Sequence, residues 1–98
     1  MIRELFAIAR LVPQGPLAWQ RYIANVDTRV YVLVREGEVV YIGRDPHLGA
    51  QRLQEPYTHQ SEVLWAYWAS TNDPSSAEAE MLRWFSRHFH QLPRGNQQ

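Results

Sequence analysis

Hydrophobic positions at the start of the chain recur at helical spacing. Ile2, Leu5, Phe6, Ile8, Ala9 and Val12 fall together on a helix over residues 2–12, with Arg3, Glu4 and Arg10 on its other faces. Pro13-Gln14-Gly15-Pro16 ends that helix. Leu17 to Ala24 predicts a second short helix, closing over residues 25–28. The pattern then changes. Arg29 to Arg35 is β-branched and aromatic between its arginines, as a buried strand is. Glu36-Gly37 supplies a two-residue turn, Glu38 to Ile42 the return strand, and Gly43 its end. His47 to Glu55 predicts a short helix with Leu48 and Leu53 inward, stopped by Pro56. Glu62 to Ser70 predicts a third strand. Asp73-Pro74 then starts a last helix, with Asp as N-cap and Pro at the first helical position. It runs to about His90, before Pro93-Arg94-Gly95.

The resulting order, α-α-β-β-α-β-α, predicts an α/β (α+β) fold with a three-stranded antiparallel sheet flanked by helices. Residues 1–28 form an N-terminal helical extension: a packing cap over the core, or a DNA-contacting or dimerising appendage. Residues 29–98 form one domain, as the length of 98 residues suggests. The chain is 45% hydrophobic, with four Trp, five Tyr and three Phe. A chain of this size buries roughly 60–65% of its unfolded surface, and each large aromatic can bury about 150–250 Å². A core without covalent staples is therefore feasible. With no cysteine, disulfides and thiolate metal sites are excluded. No apolar run approaches the roughly 20 residues of a membrane-spanning helix, and no signal-peptide pattern follows Met1. A soluble, cytoplasmic protein is expected. Ten acids balance ten bases, and every base is Arg. Neutrality argues against tight non-specific binding to nucleic acid, whereas Arg is suited to bidentate phosphate contacts.

Val30-Tyr31 lies on the first strand of the hairpin and Tyr41-Ile42-Gly43 on the second, with the two tyrosines ten residues apart. This arrangement resembles the GIY-YIG nuclease family, named for such a pair of strand motifs. The likeness extends over about residues 29–96: a helix bearing an Arg, a further strand, a helix bearing a Glu, and an Asn near the end. The resemblance implies a metal-dependent endonuclease that hydrolyses DNA phosphodiester bonds, using Mg²⁺ or Mn²⁺, with little sequence specificity in the domain itself. It implies that Tyr31 helps activate the attacking water, that Tyr41 and Arg52 bind the phosphate, and that a helix glutamate holds the metal. Arg52 stands one residue beyond the family's usual spacing from Gly43, where Gln51 is found. An insertion in the Asp45-Pro46 loop restores the register; otherwise Arg44 takes the phosphate. Asn96, in Pro93-Arg94-Gly95-Asn96, matches a Pro-x-x-Asn common near the family's active site and is a candidate for DNA contact. Gly43 leaves its backbone open to a phosphate.

Simple physical readings sharpen these assignments. A plain two-residue hairpin pairs Tyr31 with Ile42 and puts Tyr31 and Tyr41 on opposite faces. Convergence therefore requires a longer or bulged turn. A free tyrosine titrates near about 10, so it can act as a base at neutral pH only if positive charge lowers that value. On the last helix, at about 100° per residue, Met81, Leu82, Trp84, Phe85 and Phe89 define an apolar stripe. Glu78 falls within that stripe and Glu80 outside it. A carboxylate among core residues needs a partner, so Glu78 is favoured as the metal ligand with Glu80 as the fallback. His88 and His90 fall on different helix faces and His47 and His59 stand apart, so a structural zinc site is rejected. His59 is a candidate for proton transfer. The alternative function is a catalytically inactive binding module of the same fold, for nucleic acid or protein. Expected partners are DNA and either a second copy of the chain or a targeting protein.

Overall fold

The computed structural model describes residues 1–22, 28–44 and 64–97. Helix α1 (Ile2–Ile8) is followed by strand β1 (Gln14–Ala18) and a 3-10 turn, Trp19–Arg21. Strands β2 (Arg29–Arg35) and β3 (Glu38–Arg44) form the hairpin, and strand β4 (Trp65–Ser70) comes later. Helix α2 (Pro74–Phe89) and a 3-10 turn, Arg94–Asn96, complete the described chain. The four strands form one antiparallel sheet in the order β1-β4-β2-β3. The expected helix over residues 47–55 lies outside the described residues, as do residues 62–63 of the expected third strand.

Three expectations are corrected. The sheet has four strands among the described residues, not three. Its extra member is β1, where the sequence predicts a helix break followed by a second helix. Gly15 and Pro16 break helices, but an edge strand tolerates a proline that donates no ladder hydrogen bond. Gly15 has φ +108°, and a Cβ there would lie 2.7 Å from the Ala66 carbonyl oxygen. Only glycine fits this approach of β1 to β4. Second, α1 stops at Ile8 rather than near Val12: Arg10 turns the chain at φ 61°, while the Ala9 and Leu11 amides both donate to the Phe6 carbonyl. Val12 is left 81% exposed. Third, β3 does not end at Gly43 but continues through Arg44.

The remaining helix follows its local signals. The Asp73 carboxylate Oδ1 accepts from the Ser76 amide at 3.1 Å, Pro74 opens the first turn, and His90 closes α2 in the left-handed conformation. Such a cap contributes about 1 kcal/mol.

Both faces of the sheet are covered. On one, α1 and α2 pack Leu5, Phe6, Ala77, Met81 and Phe85 against Val30, Val32, Val34, Val39 and Ile42. On the other, Trp19 and Tyr22 pack against Tyr31, Leu33, Val40, Tyr41, Leu64 and Ala66, with Trp68 beside them. Residues 1–22 thus supply a strand to the sheet and side chains to both cores. No helix among the described residues is long and apolar enough to cross a membrane.

Phe6, fully buried, tests the contribution of this first segment. Phe6→Ala should lower the unfolding free energy by about 3–5 kcal/mol, as removal of a buried aromatic does. Urea denaturation followed by tryptophan fluorescence measures it. A loss below about 1 kcal/mol, the scale of an ordinary surface change, would mean that α1 is not part of the core.

Candidate active site

The site is created by an irregularity in β3. The Glu36-Gly37 turn is the expected two-residue one, with positive φ at both residues (51° and 77°), a combination suited to tight hairpins. Next to the turn, Arg35 pairs with Glu38 and Val34 with Val39. Beyond it the register shifts by one: Leu33 pairs with Tyr41, Val32 with Ile42 and Tyr31 with Gly43. Val40 is the extra residue, and Val40 and Tyr41 both face the aromatic side of the sheet. The irregularity that convergence requires is present, within the strand and not in the loop. Tyr41 is thereby turned to the face of Tyr31.

The two tyrosines lie with ring centroids 6.0 Å apart and their planes inclined at 34°. Gly43 fits beneath them. A Cβ at this position would lie 2.5 Å from Tyr41 Cε2 and 3.0 Å from both Cζ and the hydroxyl of Tyr31. The glycine of the motif is therefore required by the rings themselves, in addition to any need for an open backbone. Tyr31 is fully buried and Tyr41 nearly so. Trp19 and Tyr22 pack against Tyr31, at centroid distances of 5.6 and 5.8 Å, and Tyr22 also packs on Trp68 at 5.2 Å.

Charge enters from α2, which packs against β3. Glu78 Oε1 lies 3.9 Å from Arg44 Nε, an ion pair too long to be a hydrogen bond. Both side chains are partly open to solvent, Arg44 at 45% and Glu78 at 21%. Burial raises the Tyr41 pKa above its ordinary value of 10.0, the Glu78 carboxylate raises it further, and the neighbouring Tyr31 hydroxyl partly offsets both. Tyr41 is consequently a neutral hydroxyl across the physiological range, suited to donating a hydrogen bond rather than to removing a proton.

Asn96 has a task that the sequence reading did not assign. The Ile42 amide donates to Asn96 Oδ1, and Asn96 Nδ2 donates to the Ile42 carbonyl, each at 2.9 Å. The side chain thus clamps the backbone of the residue between Tyr41 and Gly43. Glu80 lies exposed on α2, as do His88 and His90 near its end. Arg52, His59 and His47 lie outside the described residues. No group of three His, Asp or Glu side chains able to hold a metal occurs among the described residues. Trp19 and Tyr22 were not marked by the sequence. Trp19 opens the 3-10 turn after β1 and Tyr22 follows it, and β1 in the sheet brings them over Tyr31.

Two measurements test this geometry. Gly43→Ala should destabilise the fold by about 1–3 kcal/mol through overpacking, and by clearly less in a Tyr41→Ala background, where the nearest ring is gone. Equal losses in both backgrounds, read from urea midpoints, would sink the steric explanation. Tyr41 also links stability to alkaline pH. Its folded pKa is raised, so its contribution is complete below the unfolded value of about 10 and is lost as pH climbs through the folded value. In an ultraviolet titration Tyr41 should ionise among the late, buried tyrosines, and Tyr41→Phe should reduce the amplitude of that late phase. Loss of an early step instead would contradict the assignment.

Set against protein-family models, curated proteins and solved structures, the chain matches none of them. Its function has to be read from the geometry of its own residues.

Proposed function

We propose that this protein is a metal-dependent endonuclease acting on DNA phosphodiester bonds, with little sequence readout of its own. The observation that supports this reading best is the meeting of four motif residues at one place. The Tyr31 and Tyr41 rings meet over Gly43, while the Glu78 carboxylate acts electrostatically on Tyr41 and pairs with Arg44. These residues come from two strands and a helix, and a sheet core does not need them together.

The chemistry follows from the groups present. Glu78 suits a divalent cation: one partly exposed carboxylate, with water and phosphate oxygens completing the shell, is how Mg²⁺ is commonly held. A cation there supplies neutralisation of charge on the transferring phosphate. Tyr41, kept protonated by its surroundings, donates a hydrogen bond to a phosphate oxygen. Arg44 adds a positive charge on the open side of the site. Tyr31 packs beside the Tyr41 ring, and its role toward the attacking water requires Trp19 and Tyr22 to shift, because they cover it. Asn96 serves this reading as a positioning residue that fixes Ile42 between the two motif ends. Arg52 as phosphate clamp and His59 in proton transfer complete the proposal from the sequence alone. DNA is the proposed partner, and with no recognition element assigned, selectivity comes from DNA structure, a targeting protein or a second copy of the chain.

A second reading, an inactive binding module of the same fold, is favoured by one observation: the tyrosines are buried under other aromatic rings. Incubation of supercoiled plasmid and branched DNA with purified protein and Mg²⁺ or Mn²⁺ separates the two. Nicking is expected, and Glu78→Gln should slow it by about 10²-fold or more, the scale for loss of one preorganised charge group in a site. Absence of cleavage across both metals and both substrates, by protein shown to be folded, would leave only the binding module.

A further inference from the structure

Arg44 follows directly on Gly43 and is the last residue of β3, so its Cα is carried on the same clamped backbone as Tyr41. Its guanidinium lies 3.9 Å from the carboxylate that the nuclease reading gives to the metal. The distance is within ion-pair range but beyond a hydrogen bond, and nearly half of the Arg44 side chain is open to solvent. Glu78, by contrast, is mostly covered. A partly buried carboxylate gains from a nearby cation, whereas a half-exposed arginine gives up little on leaving it. The pair is asymmetric. Glu78 is the more covered partner and Arg44 the more exposed.

We infer that Arg44 is an exchangeable counter-ion: it neutralises Glu78 in the resting protein and moves from the carboxylate to a DNA phosphate when a divalent cation takes its place. This rests on the nuclease reading and adds a rule for the order of events. The cation and Arg44 compete for one carboxylate, so each weakens the other's hold on it. Once displaced, the guanidinium is released at the rim of the site, where a bidentate contact to phosphate oxygens is available to it. Cation and substrate then bind cooperatively, because the phosphate provides the partner that Arg44 has lost. Glu78 is never left without positive charge beside it. Arg44 thus acts in opposite senses on the two ligands, against the metal and in favour of the DNA.

Calorimetric or electron-paramagnetic titration of Mn²⁺ into the DNA-free protein tests this without reference to cleavage. Arg44→Met removes the charge at a half-exposed position where folding should be unaffected, as a thermal melt would verify. It should bind Mn²⁺ more tightly, by roughly two- to five-fold, the range set by the weak coupling of exposed ion pairs. Arg44→Lys keeps the charge and should bind Mn²⁺ as the parent does. Binding of a short DNA duplex should weaken in Arg44→Met, and the tightening of Mn²⁺ binding by DNA should shrink with it. Unchanged or weaker Mn²⁺ binding by Arg44→Met, while Glu78→Gln abolishes that binding, would overturn the exchange but leave the metal site standing. Mn²⁺ binding that is absent, or indifferent to Glu78→Gln, would overturn both the exchange and the nuclease reading beneath it.

Discussion

The side of the sheet on which Tyr41 stands is decided by one extra residue in β3. In a regular hairpin built on the Glu36-Gly37 turn, Tyr41 would face α1 and α2 with Val39, and Tyr31 would face the other way. Val40 shifts the register, so that Ile42 joins Val39 against the helices while Tyr41 joins Val40 on the side of Trp19, Tyr22 and Tyr31. Without that shift Tyr41 and Tyr31 would lie on opposite faces of the sheet, and Gly43 would not lie under both rings. Asn96 fixes the next residue by both of its backbone polar groups, which holds the strand in its shifted state. The bulge and the clamp are best understood as one device.

The residues that this device gathers have linked charges. Arg44 stands by the carboxylate of Glu78, and Glu78 adds to burial in raising the Tyr41 pKa. A change of charge at any one of them is felt by the next. Proximity alone gives a sheet surface no such dependence, and the same linkage would let one positive ion alter a hydroxyl that it does not touch.

Much of the fold was legible because its signals are local. The β-branched run Arg29–Arg35 carries its own strand tendency, Glu36-Gly37 its own turn, and Asp73-Pro74 its own helix start. Glu78 was legible from helical spacing, since an acid bordering an apolar stripe needs a reason. What the sequence could not show depends on contacts made across the molecule. Strand β1 is exposed along nearly its whole length and shows no alternation, and its Gly15 and Pro16 have the look of a plain break. The end of α1 rests on a left-handed Arg10, a residue with no special liking for that conformation. The position of the bulge is hidden because Val39-Val40-Tyr41-Ile42 is apolar throughout, so neither face is marked. Asn96 and Ile42 are 54 positions apart, and only the closed fold brings them together.

The Asn96 clamp has an effect beyond the site. Strands β1 and β3 form the two margins of the sheet among the described residues. A bare margin offers free amides and carbonyls on which a neighbouring chain can add itself, and such templating leads to aggregation. At Ile42 both groups are already taken by a side-chain amide, which imitates a neighbouring strand. On the opposite margin Pro16 has no amide to offer. One amide and one imino acid thus guard a small sheet against growing by accretion of its own copies.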